Sequence, residues 1–140
     1  MEEIVLESRL EAANLEIAGE ASSKIKRVLQ QIGIRSDIVR RIAIASYEAE
    51  MNVIIHSLGG SIKACISPEQ TRIFIDDDGP GIPDINLAMQ EGYSTAPDHI
   101  REMGFGAGMG LPNMLRCADE FDIRSEVGKG TNISMIIRHN

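Results

Sequence analysis

The chain has 140 residues, 43% of them hydrophobic, which is enough for one domain with a buried core. The formal net charge of −7 argues against a nucleic-acid partner, because duplex binding relies on Lys and Arg to displace counterions. No apolar run approaches the roughly 18 residues of a membrane span, and the acidic start Met1-Glu2-Glu3-Ile4 lacks the basic character of a signal peptide, so the expectation is a cytoplasmic protein.

In chain order, Ile4 to Leu10 alternates apolar and polar and reads as an edge strand. Residues 12–32 read as a helix with Leu15, Ile25, Val28, Leu29 and Ile32 inward; Gly19 weakens it locally and Gly33 is a natural stop. Ser36 is an expected N-cap for a second helix over 37–58, which carries Ile38, Ile42, Ala45, Ala49 and Val53 and ends at Gly59-Gly60. Residues 61–67 and 71–77 read as a hairpin around Pro68-Glu69-Gln70. A polar, glycine-punctuated stretch follows from Pro83 to Gly108, with short helical pieces expected near 84–90 and 98–103. Leu111 to Ala118 reads as a helix, and 121–127 with 131–137 as a closing hairpin around Gly128-Lys129-Gly130. The order β-α-α-β-β-loop-α-β-β does not suit a doubly wound parallel sheet. It suits an α/β (α+β) two-layer sandwich, a mixed and mostly antiparallel sheet with helices on one face. Cys65 and Cys117 lack a CxxC spacing and read as reduced, small apolar residues.

Four short elements stand out: Glu48 to Asn52, Asp77 to Gly81, Gly104 to Gly110, and Gly130-Thr131. Glu48 and Asn52 lie four apart on the second helix, hence on one face, and His56 continues the line. A carboxylate beside an amide suits hydrated Mg²⁺, which takes few protein oxygens and keeps waters and phosphates. The carboxylate could orient or deprotonate an attacking hydroxyl. The bland reading is a solvated stripe, and for His56 a buried ring satisfied by the backbone. Glu50 points about 200° from Glu48 and reads as exposed or partner-facing. Asp77 shares the parity of Ile73 and Ile75 and points to their apolar face, where an acid needs a hydrogen-bond partner such as an adenine amino group. Gly79 and Gly81 would let the backbone pass close to a flat ring. Asp-Asp-Gly-Pro-Gly is also good turn chemistry, and Asp76 and Asp78 read as no more than that. Gly104, Gly106, Gly108 and Gly110 alternate into a helix at Leu111, exposing backbone N–H groups where phosphates can sit, or serving as a hinge. The run is neither a Walker loop nor a dinucleotide fingerprint. Ser94, Thr95 and Arg101 lie just upstream, and Arg101 could reach a terminal phosphate.

Together these elements resemble the GHKL ATPases, which include gyrase, Hsp90-type chaperones, histidine kinases and MutL. Glu48-x-x-x-Asn52 is similar to their N-box, Asp77-x-Gly79-x-Gly81 to the G1 box, Gly108-Met109-Gly110-Leu111 to the G2 box, and Gly130-Thr131 to the threonine element of the adenine site. Within the superfamily the chain resembles the small bacterial anti-sigma and switch serine/threonine kinases of the SpoIIAB, RsbW and RsbT type. The residues are Glu48-Ala49-x-x-Asn52-Val53-Ile54-Ile55-His56, Tyr93-Ser94-Thr95-Ala96-Pro97-x-x-x-Arg101, and Gly108 to Leu111 followed by Asp119-Glu120-Phe121-Asp122. The likeness implies a Bergerat-type ATP-binding fold over 1–140, with a lid over 83–108. It implies Glu48 and Arg101 as catalytic residues and Asn52 as the Mg²⁺ ligand. ATP contacts would come from Asn52, Asp77, Gly79, Gly81, Ile82, Ser94, Thr95, Gly104, Gly106, Ala107, Gly108, Met109, Gly110, Leu111 and Thr131. Phosphorylation of a STAS-domain anti-anti-sigma partner is implied, with a homodimer and a sigma-factor partner in one branch. Ala96 stands where some sigma-binding members have Lys, and the run from Gly104 to Gly108 resembles the switch-kinase branch more. Two other readings stay open: an ATP- or ADP-dependent binding module without transfer, and a stand-alone histidine-kinase-like ATPase domain.

Overall fold

The computed structural model describes residues 3–79, Met89 and residues 110–140, and of His56 the backbone alone. β1 spans Ile4–Leu10, α1 Glu20–Gln31, α2 Ser36–His56, β2 Gly60–Ile66, β3 Gln70–Asp77, α3 Gly110–Cys117, β4 Glu120–Glu126 and β5 Gly130–Arg138. The strands form one sheet in the order β1-β2-β3-β5-β4. Every ladder among the described residues is antiparallel, so the expected mixture of directions is not seen there. β1 is an edge, as its alternating pattern suggests. β4 is the other edge, and its exposed Glu120, Asp122, Arg124 and Glu126 discourage further pairing.

The strands alternate between a covered and an open face, the period-2 pattern of a half-buried sheet. Ile62, Ala64 and Ile66 of β2, Thr71, Ile73 and Ile75 of β3, and Ile133, Met135 and Ile137 of β5 are buried. They pack with Ile25 and Leu29 of α1, Ile38, Ile42, Ala45, Ala49 and Val53 of α2, and Met114 of α3 in one core. Removing a side chain such as Leu29, which is fully buried, from water contributes about 1.5–3 kcal/mol. On the open face the Arg72 guanidinium lies 5.8 Å from the Phe74 ring centre and pairs with Glu3. Both cysteines are free, Cys65 buried and Cys117 partly so.

The first expected helix is shorter than its apolar pattern. A 3₁₀ turn at Leu15–Ile17 comes first, and Gly19 at φ 90° sets a left-handed cap before α1 starts at Glu20. The second helix is entered differently from expectation too. Arg35, not Ser36, is the N-cap, and its carbonyl accepts from the N–H groups of Ile38 and Val39 at 3.0 Å each. The short helical pieces expected near 84–90 and 98–103 lie outside the described residues, Met89 apart.

Candidate functional site

α2 is the axis of the site. It packs against α1 on one flank and α3 on the other, with its apolar face on the sheet. Glu48 is half-buried and faces α3. Its Oε1 accepts a long hydrogen bond from Asn113 Nδ2 at 3.4 Å, and the Arg116 guanidinium donates to Asn113 Oδ1 at 2.7 Å. A Cβ added to Gly110 would stand 3.3 Å from Glu48 Oε2. The first turn of α3 therefore closes on the Glu48 carboxylate. Asn52 is half-buried one turn along the same face. The side chain of His56 lies outside the described residues.

Glu50 corrects an expectation. It is 1% exposed, not solvent-facing. Its Oε2 accepts from the Ala21 N–H and its Oε1 from the Ser22 N–H, each at 3.1 Å. A buried carboxylate is tolerable there because it satisfies two orphan donors at the N-terminus of α1 and meets the positive end of that helix. The direction read from helical geometry is right, but what lies in that direction is α1. One signal was available: Ile42, Ser46, Glu50 and Ile54 recur at intervals of four and are all buried.

The second cluster gathers at the end of β3. Asp77 Oδ1 accepts from the Gly79 N–H at 3.0 Å and the Thr131 N–H at 2.9 Å. Burial pushes the Asp77 carboxyl above the usual carboxylate range, against the opposing pull of the Gly79 and Thr131 amides and the Ser57 hydroxyl. Thr131 is buried, and its hydroxyl is 2.8 Å from Ser125 Oγ. Gly130 is demanded by this closure. It has φ 115°, and a Cβ there would fall 2.2 Å from the Asp77 carbonyl oxygen and 2.9 Å from the Gly79 nitrogen. Asp76 and Asp78, expected as turn residues only, serve the frame through partners on other strands. Asp76 accepts from Asn132 Nδ2 at 2.7 Å, and Asp78 pairs with Arg9.

The end of α2 links the two clusters. Ser57 Oγ donates to the Gly79 carbonyl at 2.7 Å, the Leu58 N–H donates to the same carbonyl at 3.0 Å, and the Asp78 N–H donates to the Gly59 carbonyl at 2.9 Å. The helix bearing Glu48 and Asn52 is thus stitched to the turn after Asp77. The structure brings Glu48 together with Gly110, and Asp77 with Gly79 and Thr131. Leu111 points into the core at 6% exposure, so its side chain packs α3 rather than offering a polar contact. Gly81, Ile82, Ser94, Thr95, Arg101, Gly104, Gly106, Ala107, Gly108 and Met109 lie outside the described residues. Asn113, Ser57 and Glu50 are the participants to which sequence reasoning gave no such part, while Gly130 was singled out with Thr131 but not for the close approach that excludes a Cβ there.

The donor set fits hydrated Mg²⁺. Among the described residues no three His, Cys, Asp or Glu side chains gather into a protein-only metal cage. Glu48 and Asn52 offer oxygens at one-turn spacing, the sparse ligation Mg²⁺ accepts when phosphates and waters complete its shell.

An antiparallel sheet with a helix bearing a carboxylate and an amide one turn apart, an acid at the end of its third strand and a glycine-led helix has a clear counterpart. Residues 36–140 match the family described as "Histidine kinase-, DNA gyrase B-, and HSP90-like ATPase", more than half of the chain, and the chain belongs to that family. Relatives within it narrow the branch. The serine/threonine-protein kinase RsbT of Bacillus subtilis (strain 168) is 33% identical over 115 residues, covering 79% of this chain and 80% of the relative. An anti-sigma F factor of Thermoanaerobacter sp. (strain X514) is 36% identical over 100 residues, 71% of this chain and 62% of that protein. An anti-sigma F factor of Geobacillus stearothermophilus is 33% identical over 109 residues, 74% and 71% respectively. The chain is thus a member of the anti-sigma-kinase-like branch of the GHKL ATPases. Among the described residues no helix is long and apolar enough to cross a membrane.

Proposed function

We propose that the chain is an ATP-dependent serine/threonine protein kinase that controls a sigma-factor pathway by phosphorylating a STAS-domain anti-anti-sigma-type protein in the cytoplasm. The enzyme class is that of the RsbT relative. The observation that carries the reading is the Glu48 carboxylate, half-buried on α2 and facing the first turn of α3, at the start of the helix that follows the glycine run.

Asp77 would bind the adenine amino group. Its Oδ1 is engaged by the Gly79 and Thr131 N–H groups, which fixes the direction of the carboxylate. Asn52 would hold Mg²⁺ through its amide oxygen, and the Gly104 to Gly110 backbone, with Ser94, Thr95 and Arg101, would surround the phosphates. Mg²⁺ supplies charge neutralisation across the transferring phosphoryl group. As the partner's hydroxyl oxygen bonds to the γ-phosphorus and the bond to the departing ADP breaks, Glu48 would accept the hydroxyl proton on a carboxylate oxygen.

Radiolabel from γ-labelled ATP should pass to a STAS-domain protein and remain through acid treatment, as on serine or threonine and not on histidine. Glu48→Ala should keep the Mg-ATP Kd within about threefold and slow transfer about 10²–10⁴-fold, the usual contribution of a positioned base. Full transfer by that variant would remove Glu48 from the role. The anti-sigma F names favour a second reading, capture of a sigma factor by a nucleotide-set surface of a homodimer. Pull-down of the sigma factor with and without Mg-ATP, with no label transferred, is the result that reading requires.

A further inference from the structure

We infer that Asn113 is a positioning residue for Glu48, held in one orientation by Arg116, and that this relay sets the direction of the catalytic carboxylate. The inference rests on the reading of Glu48 as base. An asparagine amide can turn either way, but its neighbours decide here. A guanidinium only donates, so the Asn113 oxygen must face Arg116, where the distance is 2.7 Å. The amide NH₂ is then turned to Glu48 Oε1, at 3.4 Å. Glu48 can only accept when ionised, so the polarity of the chain from Arg116 to Asn113 to Glu48 is unambiguous. Gly110 leaves room for the other oxygen, since a Cβ at that position would stand 3.3 Å from Glu48 Oε2. One carboxylate oxygen is tethered and the other is given room beside the first residue of α3.

Such a contact tightens when substrate draws the groups together, and small errors in the placement of a base cost large factors in rate. Arg116 and Asn113 are three apart on α3, so their side chains lie on one face of the helix within reach of each other. Its effect should appear in the transfer step and not in nucleotide affinity, because the adenine contact is made at Asp77.

The test uses the full chain. Asn113→Asp keeps the shape and the Arg116 bond but turns an acceptor toward Glu48; Asn113→Leu keeps the volume and removes the donor. Both should melt near wild type and bind Mg-ATP within about threefold. Transfer to the STAS protein should fall at least about tenfold in kcat for Asn113→Leu and further for Asn113→Asp. In a Glu48→Gln background the same changes should add nothing, which a structural role would not reproduce. Wild-type kcat in Asn113→Asp would overturn the inference. If the wild-type protein transfers no label, the kinase reading fails by itself, and the contact is tested by NMR. Glu48→Gln should shift the Asn113 side-chain amide signals more than the α3 backbone signals, and unmoved side-chain signals would overturn the contact.

Discussion

Asp77 is pulled two ways by its surroundings. Burial disfavours its charge, while the Gly79 and Thr131 amides and Ser57 favour it, and burial wins. A carboxyl raised above its unfolded value contributes stability below the ordinary carboxylate range, and that contribution disappears as pH rises through the folded value. At neutral pH the ionised side chain therefore costs stability. Asp77→Asn should melt no lower than wild type at pH 7, with the advantage shrinking on acidification, as differential scanning fluorimetry would show. The same change should weaken Mg-ATP binding at least about tenfold, roughly 1.4 kcal/mol. The asparagine oxygen is already claimed by two backbone N–H groups, so its NH₂ would meet the adenine NH₂. Unchanged affinity by calorimetry would remove adenine from that pocket. Glu50 is buried over the two backbone donors that its carboxylate satisfies. Glu50→Ala should cost about 1–3 kcal/mol in urea unfolding by orphaning the Ala21 and Ser22 N–H groups.

At the scale of elements, α2 is clamped at both flanks. Arg41 donates to the Cys117 carbonyl at 3.1 and 2.8 Å, and to Asp119 Oδ1 at 3.1 Å, placing a cation at the C-terminus of α3 where the helix dipole favours it. Asp119 Oδ2 accepts from the Arg138 N–H, so the clamp continues into β5. The Arg138 amide and then Arg41 hold the Asp119 carboxyl below its usual range. A depressed carboxylate stabilises above its unfolded value and loses that contribution as pH falls through the folded one. Arg41→Ala should lose about 1–2 kcal/mol at pH 7. Asp119→Asn should also be destabilised at pH 7 and converge on wild type in acid. Equal destabilisation of Asp119→Asn at both ends of a pH series of melts would show the pairing to be unimportant.

Across the whole molecule, the strands were readable to within about a residue because a half-buried sheet writes its period into Ile62, Ala64, Ile66 and Ile73, Ile75. The start of α1 was harder, since the apolar residue Leu15 continues a helical pattern that Gly19 interrupts through backbone geometry. Glu48, Asn52 and Asp77 were readable as chemistry because their residue types contrast with apolar neighbours. Asn113 and Ser57 were not, because their parts depend on contacts formed between residues distant in sequence. A helical wheel shows the direction of Glu50 but not the helix that waits there.

The neighbourhood of β3 and β5 sets an order of events in synthesis. These strands are partners in the sheet, yet β5 follows β3 only after α3 and β4 have passed. A chain leaving the ribosome exposes Asp77 long before Thr131 exists to receive its hydrogen bond. Until β5 arrives, the edge of β3 lies open and the acid lacks one of its two amide donors. The cluster around Asp77 is therefore among the last parts of the fold to be completed, and a half-made chain lacks the strand that closes it.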